Sequence, residues 1–325
     1  MTSRFKLLCS DICARWNSFW FKPQSALPVS VFRIGFGTVM LFSLLVQFRR
    51  DYLLFFGANA VFPTSSIDLN EWNRGPAFDL LLLLPSEDGF RIGFLYFSAL
   101  MAFFVTIGLA TRFSSLMLFL CYLSLCNHFP IVLMGGDNFA RIISLFLIFT
   151  PCGKRLSIDC LINPVSSVQL YTPWAQRVIQ VQLCVIYLVN VIYKFAGEQW
   201  RDGSAVYYAT RLLDYTRISI PPFIDLPAVS KMLTWSTLAL ETSFIFVFWI
   251  PNKRIRYAML LSAFLFHLGL DFCFGLGPFE WFFITSLILF ISAEDIETLL
   301  SQVRAKTLKT SASSTLSSTA QSTGT

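Results

Sequence analysis

Long apolar runs, separated by shorter polar stretches, dominate this chain. Several windows carry at most one charged residue over about eighteen or more positions, which is the length a helix needs to cross hydrocarbon. The sequence does not show the alternation of roughly ten residues that is typical of membrane strands. The pattern predicts an all-α, polytopic transmembrane helix bundle. Its roughly eight predicted spans are 28–47, 91–110, 113–134, 138–151, 175–196, 229–250, 256–275 and 279–293.

The two ends of the chain have different patterns from this central region. Over residues 1–24, apolar positions recur every three or four residues with basic residues between them, which predicts an amphipathic helix in the membrane interface. No small-residue cleavage site follows it. Residues 25–295 hold the spans and form the predicted transmembrane domain. Residues 296–325 end in "KTSASSTLSSTAQSTGT", whose low apolar content predicts a disordered cytoplasmic tail.

Basic residues fall unevenly on the two sides that these spans define. With the N-terminus inside, fourteen of the 25 Lys and Arg residues lie on the cytoplasmic side and six lie opposite. Because positive loops are retained in the cytoplasm, both termini are expected there, and loops 48–90 and 197–228 are expected outside. The predicted location is a bacterial inner (plasma) membrane. The net charge of +6 is therefore interpreted as a topology signal.

Composition narrows the classes of function. The basic residues form no continuous patch or stripe, so nucleic acid is not an expected partner. The eight cysteines contain no CxxC pair, and none falls in the two predicted outer loops. This pattern argues against a disulfide framework and against a metal site. No internal repeat is found, which counts against a transporter built from two related halves.

A few ionisable residues lie in or beside the predicted spans. Each costs a few kcal/mol on insertion scales, roughly, so each marks pairing or function. Five of these residues, namely Asp137, Arg141, Lys194, His267 and Asp271, are expected in the outer halves of their helices and could therefore converge. The main members of the set are Arg33, Asp137, Arg141, Lys194, Glu241, His267 and Asp271.

Helical spacing leaves two interpretations open for most of these residues. Asp137 lies four positions before Arg141, so the two share a helix face, either as a cap with its partner or as ligand-binding groups. His267 and Asp271 have the same spacing and form either a structural polar pair or part of a site. Arg33 is expected to be an inner-leaflet anchor or a partner for Glu241.

Lys194 ends the apolar run in "IYLVNVIYKFAGEQW". It either reaches up to the lipid headgroups or lies in a dry pocket, where loss of hydration would favour a neutral amine able to take a proton. It would also share a face with Glu198 if the helix continued that far. Neighbouring aromatic residues fit either environment.

Four stretches in order resemble motifs of the vitamin K-dependent gamma-carboxylase-like, or HTTM (horizontally transferred transmembrane), superfamily. The resemblance covers about residues 25 to 295. The stretches are "VFRIGFGTVMLF", "GGDNFARIISLFLIFTPCGKRLSID", "QRVIQVQLCVIYLVNVIYKFAGEQWRDGSAVYY" and "FHLGLDFCFGLGPFEWFFITSLILF".

The resemblance implies a membrane-embedded base acting on a reduced quinone. In the carboxylase of this superfamily a membrane lysine deprotonates vitamin K hydroquinone, and that lysine matches Lys194. The carboxylase has a catalytic histidine where Asp137 stands, and one residue fewer between the lysine and the position of Trp200. It also has a large extracytosolic domain, so glutamate carboxylation is not expected here. The implied catalytic residues are Lys194, Asp137 and His267, and the implied substrate-binding residues are Arg141, Asp271, Trp200 and Tyr193.

Two other functions stay open at this point. Small members of the superfamily include the sporulation-delaying toxin maturation protein, so the chain is alternatively a non-catalytic export or maturation partner. Its partners would then be a small secreted peptide or another membrane protein, besides membrane lipid. The second of these functions is transport of a solute across the membrane.

Overall fold

The computed structural model describes residues 2–61, 78–129, 133, 135–164, 169–303 and 305–306. Met1–Phe290 form one compact unit and Ile291–Thr325 a second. Apart from a two-stranded antiparallel pair, β1 (Gln24–Ser25) with β2 (Leu170–Tyr171), regular structure in the described ranges is helical, which confirms the predicted all-α class. The α-helices are α1 (Thr2–Phe21), α2 (Leu27–Phe42), α3 (Arg49–Phe56), α4 (Asp88–Ile107), α5 (Thr111–His128), α6 (Gly135–Leu147), α7 (Ile158–Ile162), α8 (Trp174–Ala196), α9 (Glu198–Asp202), α10 (Ala205–Ala209), α11 (Pro227–Ile245), α12 (Lys253–Cys273) and α13 (Phe279–Ser286).

Among the described residues, four helices are long and apolar enough to cross a membrane. They are Leu27–Phe56, Asp88–Ile107, Trp174–Ala196 and Lys253–Cys273, and each coincides with a predicted span. The other four predicted spans also contain helices, namely α5, α6, α11 and the shorter apolar helix Phe279–Phe290. Their crossing of the membrane stays a prediction.

Helix α12 shows how the apolar surface of the chain is distributed. It buries Leu260, Ala263 and His267, whereas Leu265 and Phe272 are 56% and 67% exposed. A helix that is apolar on its exposed side as well is typical of contact with lipid, because water would disfavour such a surface.

The first long helix runs further than the pattern predicted. A π-helix at Ser43–Phe48 joins α2 to α3, so the helix ends at Phe56 and the loop predicted to begin at residue 48 starts later. The polar residues Arg49, Arg50 and Asp51 suggested an end there, but Tyr52 and Phe56 are buried and extend the packed face.

The apolar segment "DLLLLLP", residues 79–85, packs on α5. Leu80–Leu83 form a 3-10 helix in which Leu81 is fully buried, and the Leu80 N–H donates to Ser124 Oγ at 2.9 Å. Asp79 accepts a hydrogen bond from the Leu81 N–H and lies 2.7 Å from His128 Nδ1. Residues 62–77 of the same predicted loop lie outside the described residues.

The ends of the chain are helical where they are described. Helix α1 covers most of the segment predicted to be amphipathic. Residues 293–303 are helical, although the predicted disordered tail begins at 296, because Ile296 and Leu299 belong to an apolar series at helical spacing. Residues 304 and 307–325 of that tail lie outside the described residues.

Arg33 joins three segments without using a carboxylate. It is fully buried, and its guanidinium donates to the carbonyl of Val105 at 2.7 Å and to the carbonyl of Leu156 at 2.5 Å. The last carbonyls of a helix have no partner within it, so the end of α4 offers acceptors to this cation. The predicted alternative pairing of Arg33 with Glu241 is therefore wrong. Gly108, at φ +70°, lets the chain turn beside the guanidinium.

Asp159 fastens the short helix α7 to the start of α5. Its carboxylate accepts hydrogen bonds from the Ala110 N–H, the Thr111 N–H and the Thr111 hydroxyl, each at 2.7 Å. Burial alone would raise the pKa of Asp159, but the hydrogen bonds from Thr111 and Ala110 outweigh it, and the pKa lies below its ordinary value of 3.8.

Gly108→Ala is expected to lower the free energy of unfolding by at least about 2 kcal/mol, because the left-handed backbone is strained for alanine. The added Cβ would also overlap the Arg33 guanidinium and Ser157. The control is Gly93→Ala in α4, where nothing lies within 4 Å of the new Cβ, and which should be neutral or slightly stabilising. Thermal unfolding in detergent measures both. Equal midpoints for the two variants would contradict this account of the turn.

Asp159→Asn is expected to cost about 1 kcal/mol at pH 7, since solvent screens the lost charge-assisted hydrogen bonds. Because the folded pKa lies below the unfolded value of 3.8, this stabilisation is fully present above pH 3.8 and is lost as pH falls from there through the folded pKa. The gap in unfolding temperature between wild type and variant should therefore narrow from pH 5 to about pH 3. A gap that does not change with pH would show that the charge of Asp159 is not what stabilises the fold.

Candidate functional site

Lys194 lies at the C-terminal end of α8 and forms an ion pair with Glu241 of α11. The lysine side chain is 21% exposed and the glutamate side chain 6%. The helix ends at Ala196, and α9 begins after Gly197, so Glu198 does not continue the face that carries Lys194. The condition for a shared face with Glu198 is therefore not met, and the carboxylate partner of Lys194 comes from another helix.

The two aromatic residues predicted to bind substrate lie in different surroundings. Trp200, in α9, has its ring centroid 4.7 Å from Lys194 Nζ, a cation–π contact. Tyr193 is 75% exposed, and its helix neighbours Ile192 and Phe195 are also exposed. The structure therefore places Trp200 at the lysine and Tyr193 on the outer apolar surface.

One oxygen of Glu241 has no hydrogen-bond partner among the residues that the structure describes. Oε1 faces Lys194, while Oε2 is buried and unpartnered. An ionised carboxylate accepts several hydrogen bonds, and leaving a buried acceptor unsatisfied costs about 1–3 kcal/mol. Such an atom marks a position where a ligand hydroxyl or a water gains a favourable contact.

His267 lies between a phenol and a carboxylate. Its Nε2 is 2.6 Å from the Tyr187 hydroxyl, and its Nδ1 contacts Glu280 Oε2. When Nδ1 carries the ring proton and donates a hydrogen bond to the Glu280 carboxylate, Nε2 accepts a hydrogen bond from the Tyr187 hydroxyl. We call Tyr187, His267 and Glu280 the relay, because a carboxylate that orients a histidine makes the other imidazole nitrogen available as a base.

Local sequence explains how the relay is held. Gly277, at φ +64°, turns the chain before α13, and Glu280 then falls in the first turn, where the helix dipole stabilises a negative charge. Phe283, three residues further on the same face, stacks on the His267 ring with centroids 4.9 Å apart. The Glu280 side chain is fully buried, so helix dipole and histidine together compensate its charge.

Tyr187 connects the relay to the lysine pair. It lies seven residues, about two turns, before Lys194, so both side chains project from one face of α8. The carboxylates of Glu241 and Glu280 are both close enough to interact electrostatically with its hydroxyl. The lysine pair and the relay are thus two hydrogen-bonded groups within electrostatic range of each other at Tyr187.

Asp137 and Arg141 belong to an adjoining cluster. The Tyr122 hydroxyl donates to Asp137 at 2.6 Å, and Arg141 donates to Asn127 at 3.4 Å and to Asn138 at 3.1 Å. The helix α6 begins at Gly135, so Asp137 is the third residue of its first turn and does not occupy the predicted capping position.

An aromatic stack links this cluster to the relay. Phe139 of α6 stacks on Phe283 at 4.8 Å, and Phe283 stacks on His267. Asp271 has a different partner, Arg217, at 3.5 Å, rather than His267. The structure therefore brings together only some of the predicted site residues. Lys194 contacts Trp200, and His267 bonds to Tyr187, which lies on the same helix face as Lys194.

Sequence reasoning did not select Glu280, although a signal was present. Glu280 is an ionisable residue inside the predicted span 279–293, so the rule that selected Lys194 and His267 applies equally to it. Tyr187 had no such signal, because it is one of ten tyrosines in the chain. Within the described ranges, no group of three or more His, Cys, Asp or Glu side chains is placed to hold a metal ion.

Comparisons with known proteins agree with this architecture. The model of the HTTM domain family matches residues 21–294. The chain is also 26% identical over 123 residues to YitO of Bacillus subtilis (strain 168), a protein described as uncharacterized. That alignment covers 36% of this chain and 39% of YitO, so the chain spans well under half of this relative. No solved structure matches.

Tyr187→Phe is expected to lower the free energy of unfolding by about 1–3 kcal/mol, because it removes the hydroxyl bound to buried His267. Tyr193→Phe removes the same group six residues along the helix, at an exposed position, and should change stability little. Thermal unfolding in one detergent compares them. If the two variants lose equal stability, the hydroxyl of Tyr187 does not hold the relay.

Proposed function

Because this chain belongs to the HTTM family, we propose that it performs acid–base chemistry at Lys194 on a lipid-soluble hydroxyl compound such as a quinol. The family and the four apolar helices make it a membrane protein. The eight spans, the cytoplasmic termini and a bacterial inner membrane are part of this proposal. In that orientation Lys194 lies at the extracytoplasmic side, where apolar substrates enter from the outer leaflet.

The observation that carries the proposal is the unpartnered oxygen of Glu241 beside Lys194. A substrate hydroxyl donating to Glu241 Oε2 would satisfy that oxygen. Transfer of its proton to the carboxylate would leave a negative oxygen next to the Lys194 ammonium, which stabilises that charge. Lys194 and Glu241 then act as a unit, with the amine holding the oxyanion and the carboxylate taking the proton.

The relay supplies a second acid–base group. Tyr187 donates to His267, whose orientation is fixed by Glu280, so a proton taken near the lysine pair has a neighbouring chain of acceptors. A substrate with two hydroxyl groups would use two such acceptors. Glu280 Oε1, buried and without a partner among the described residues, leaves one more acceptor site in the relay.

A reduced quinone fits the residues around Lys194. It would supply a weakly acidic hydroxyl proton and a flat aromatic ring. The Trp200 ring beside Lys194 suits stacking, and the exposed Tyr193 and Phe195 offer apolar surface for a lipid tail. In the adjoining cluster, Asp137 is held by Tyr122, and Arg141 is proposed to orient the polar end of the substrate. Asp271, which pairs with Arg217 outside that cluster, is proposed to do the same. Glutamate carboxylation is not part of the proposal, since Asp137 replaces the histidine of the carboxylase.

Wild-type protein in nanodiscs is expected to hold a tailed 1,4-naphthohydroquinone partly as its anion at neutral pH, under anaerobic conditions. Loss of the ammonium in Lys194→Ala should reduce the bound anion at least about tenfold, since a charge-assisted contact contributes about 1.5–3 kcal/mol. Glu241→Gln, which removes the proton acceptor, should have a comparable effect. Absorbance of the naphtholate during a pH titration measures it.

Lys231→Ala is the control, because it removes an exposed lysine from the N-terminal turn of α11, outside the Lys194 pair. It should behave as wild type. Unchanged anion in both Lys194→Ala and Glu241→Gln would rule out acid–base chemistry at this pair. It would favour a helix-joining ion pair in a non-catalytic export or maturation partner.

A further inference from the structure

A cavity of about 460 Å³ with polar and apolar side chains in its wall lies among the loops that precede α5 and follow α6. Its wall includes Arg112, Ser115, Thr150, Lys154 and Asp159. Phe149, in the loop after α6, contacts Trp174 at the first residue of α8. Lys194 is twenty residues along that helix, roughly 30 Å away, so this cavity is not part of the Lys194 site.

Cations dominate the electrostatics of this cavity. Arg112 and Lys154 are exposed and line it, while Arg33 is buried close by and interacts electrostatically with both Cys152 and Asp159. Arg112 also acts on Cys152, which places two guanidinium groups around one wall. The charge balance of these groups therefore favours an anion.

The carboxylate in the wall is one negative charge against the two cations Arg112 and Lys154, and both of its oxygens already accept hydrogen bonds. Asp159 accepts three hydrogen bonds at 2.7 Å from Ala110 and Thr111, which fix it against the start of α5. Asp159 therefore positions α7 against α5. Its oxygens do not need Arg112 or Lys154 as partners, so these two cations can bind an anion.

A buried donor adds to the cations. Ser115 is 2% exposed, lines the cavity, and its hydroxyl has no hydrogen-bond partner in the part of the chain that the structure describes. It lies one turn after Thr111 on α5, on the side where Asp159 attaches. A hydroxyl buried without a partner is satisfied by a bound group that accepts a hydrogen bond.

We propose that this cavity binds a phosphate group, held by Arg112 and Lys154 with Ser115 as hydroxyl donor. Guanidinium and ammonium groups are the side chains that bind phosphate oxygens most strongly. The volume accommodates a lipid headgroup as well as a free ion. Phe113 and Leu147 in the same wall provide apolar contact for the first carbons of an acyl chain.

The test uses the full chain, purified in detergent, and native mass spectrometry with phosphatidylglycerol, phosphatidylcholine or inorganic phosphate. Wild type should retain phosphatidylglycerol at least about tenfold better than the double variant Arg112→Gln, Lys154→Gln, because two charge-assisted contacts are lost. The matched control is Arg15→Gln with Arg254→Gln, two exposed arginines outside the cavity wall. It removes the same total charge and should retain the lipid as wild type does.

The arms separate the two sources of phosphate. If wild type retains phosphatidylglycerol and inorganic phosphate does not change its unfolding temperature, the cavity binds lipid headgroups. If inorganic phosphate raises the unfolding temperature of wild type but not of the double variant, the cavity binds a soluble ion. Lys154→Glu, at an exposed position, replaces the double variant if that protein does not fold. Equal lipid retention and equal thermal shifts in wild type and cavity variants overturn the proposal, as does an equal loss in the matched control.

Discussion

An ionised side chain in hydrocarbon is costly unless another segment supplies its counter-charge, and this constraint sets the contacts between helices here. Lys194 with Glu241 joins α8 to α11, and His267 with Glu280 joins α12 to α13. Arg33 meets the same requirement through main-chain carbonyls. With lipid outside, apolar contact gives little preference for one helix neighbour over another, so polar pairs help to specify the packing.

The same pairs concentrate acid–base chemistry in one place. Groups that are buried for helix pairing lose water, so their remaining free atoms interact more strongly with any ligand that reaches them. The second oxygen of Glu241 and that of Glu280 are such atoms. Structural pairing and chemical function are therefore compatible roles for one set of residues, and stability measurements alone do not separate them.

Sequence patterns predicted the helices well and the partners poorly. Apolar runs located α4, α8 and α12, because composition alone decides what can lie in lipid. Lys194 and His267 were selected by the rule for charges in spans. Spacing of four residues pointed to partners on the same helix, yet Glu241 and Glu280 come from other helices. Only the packing of α8 against α11 and of α12 against α13 determines those pairs, and periodicity within a helix carries no information about it.

The π-helix at Ser43–Phe48 and the non-helical backbone of Asp51, at φ −122° and ψ 18°, together set the angular offset between α2 and the buried end of α3. Each residue of an α-helix turns the chain by about 100°, so the wider turns of the π-helix change the direction in which the residues after it point. Ser43 and Leu44 on one side and Tyr52 and Phe56 on the other are all buried. The length of this segment is thus coupled to the rotation of α3, and single-residue insertions or deletions there are constrained far more tightly than substitutions.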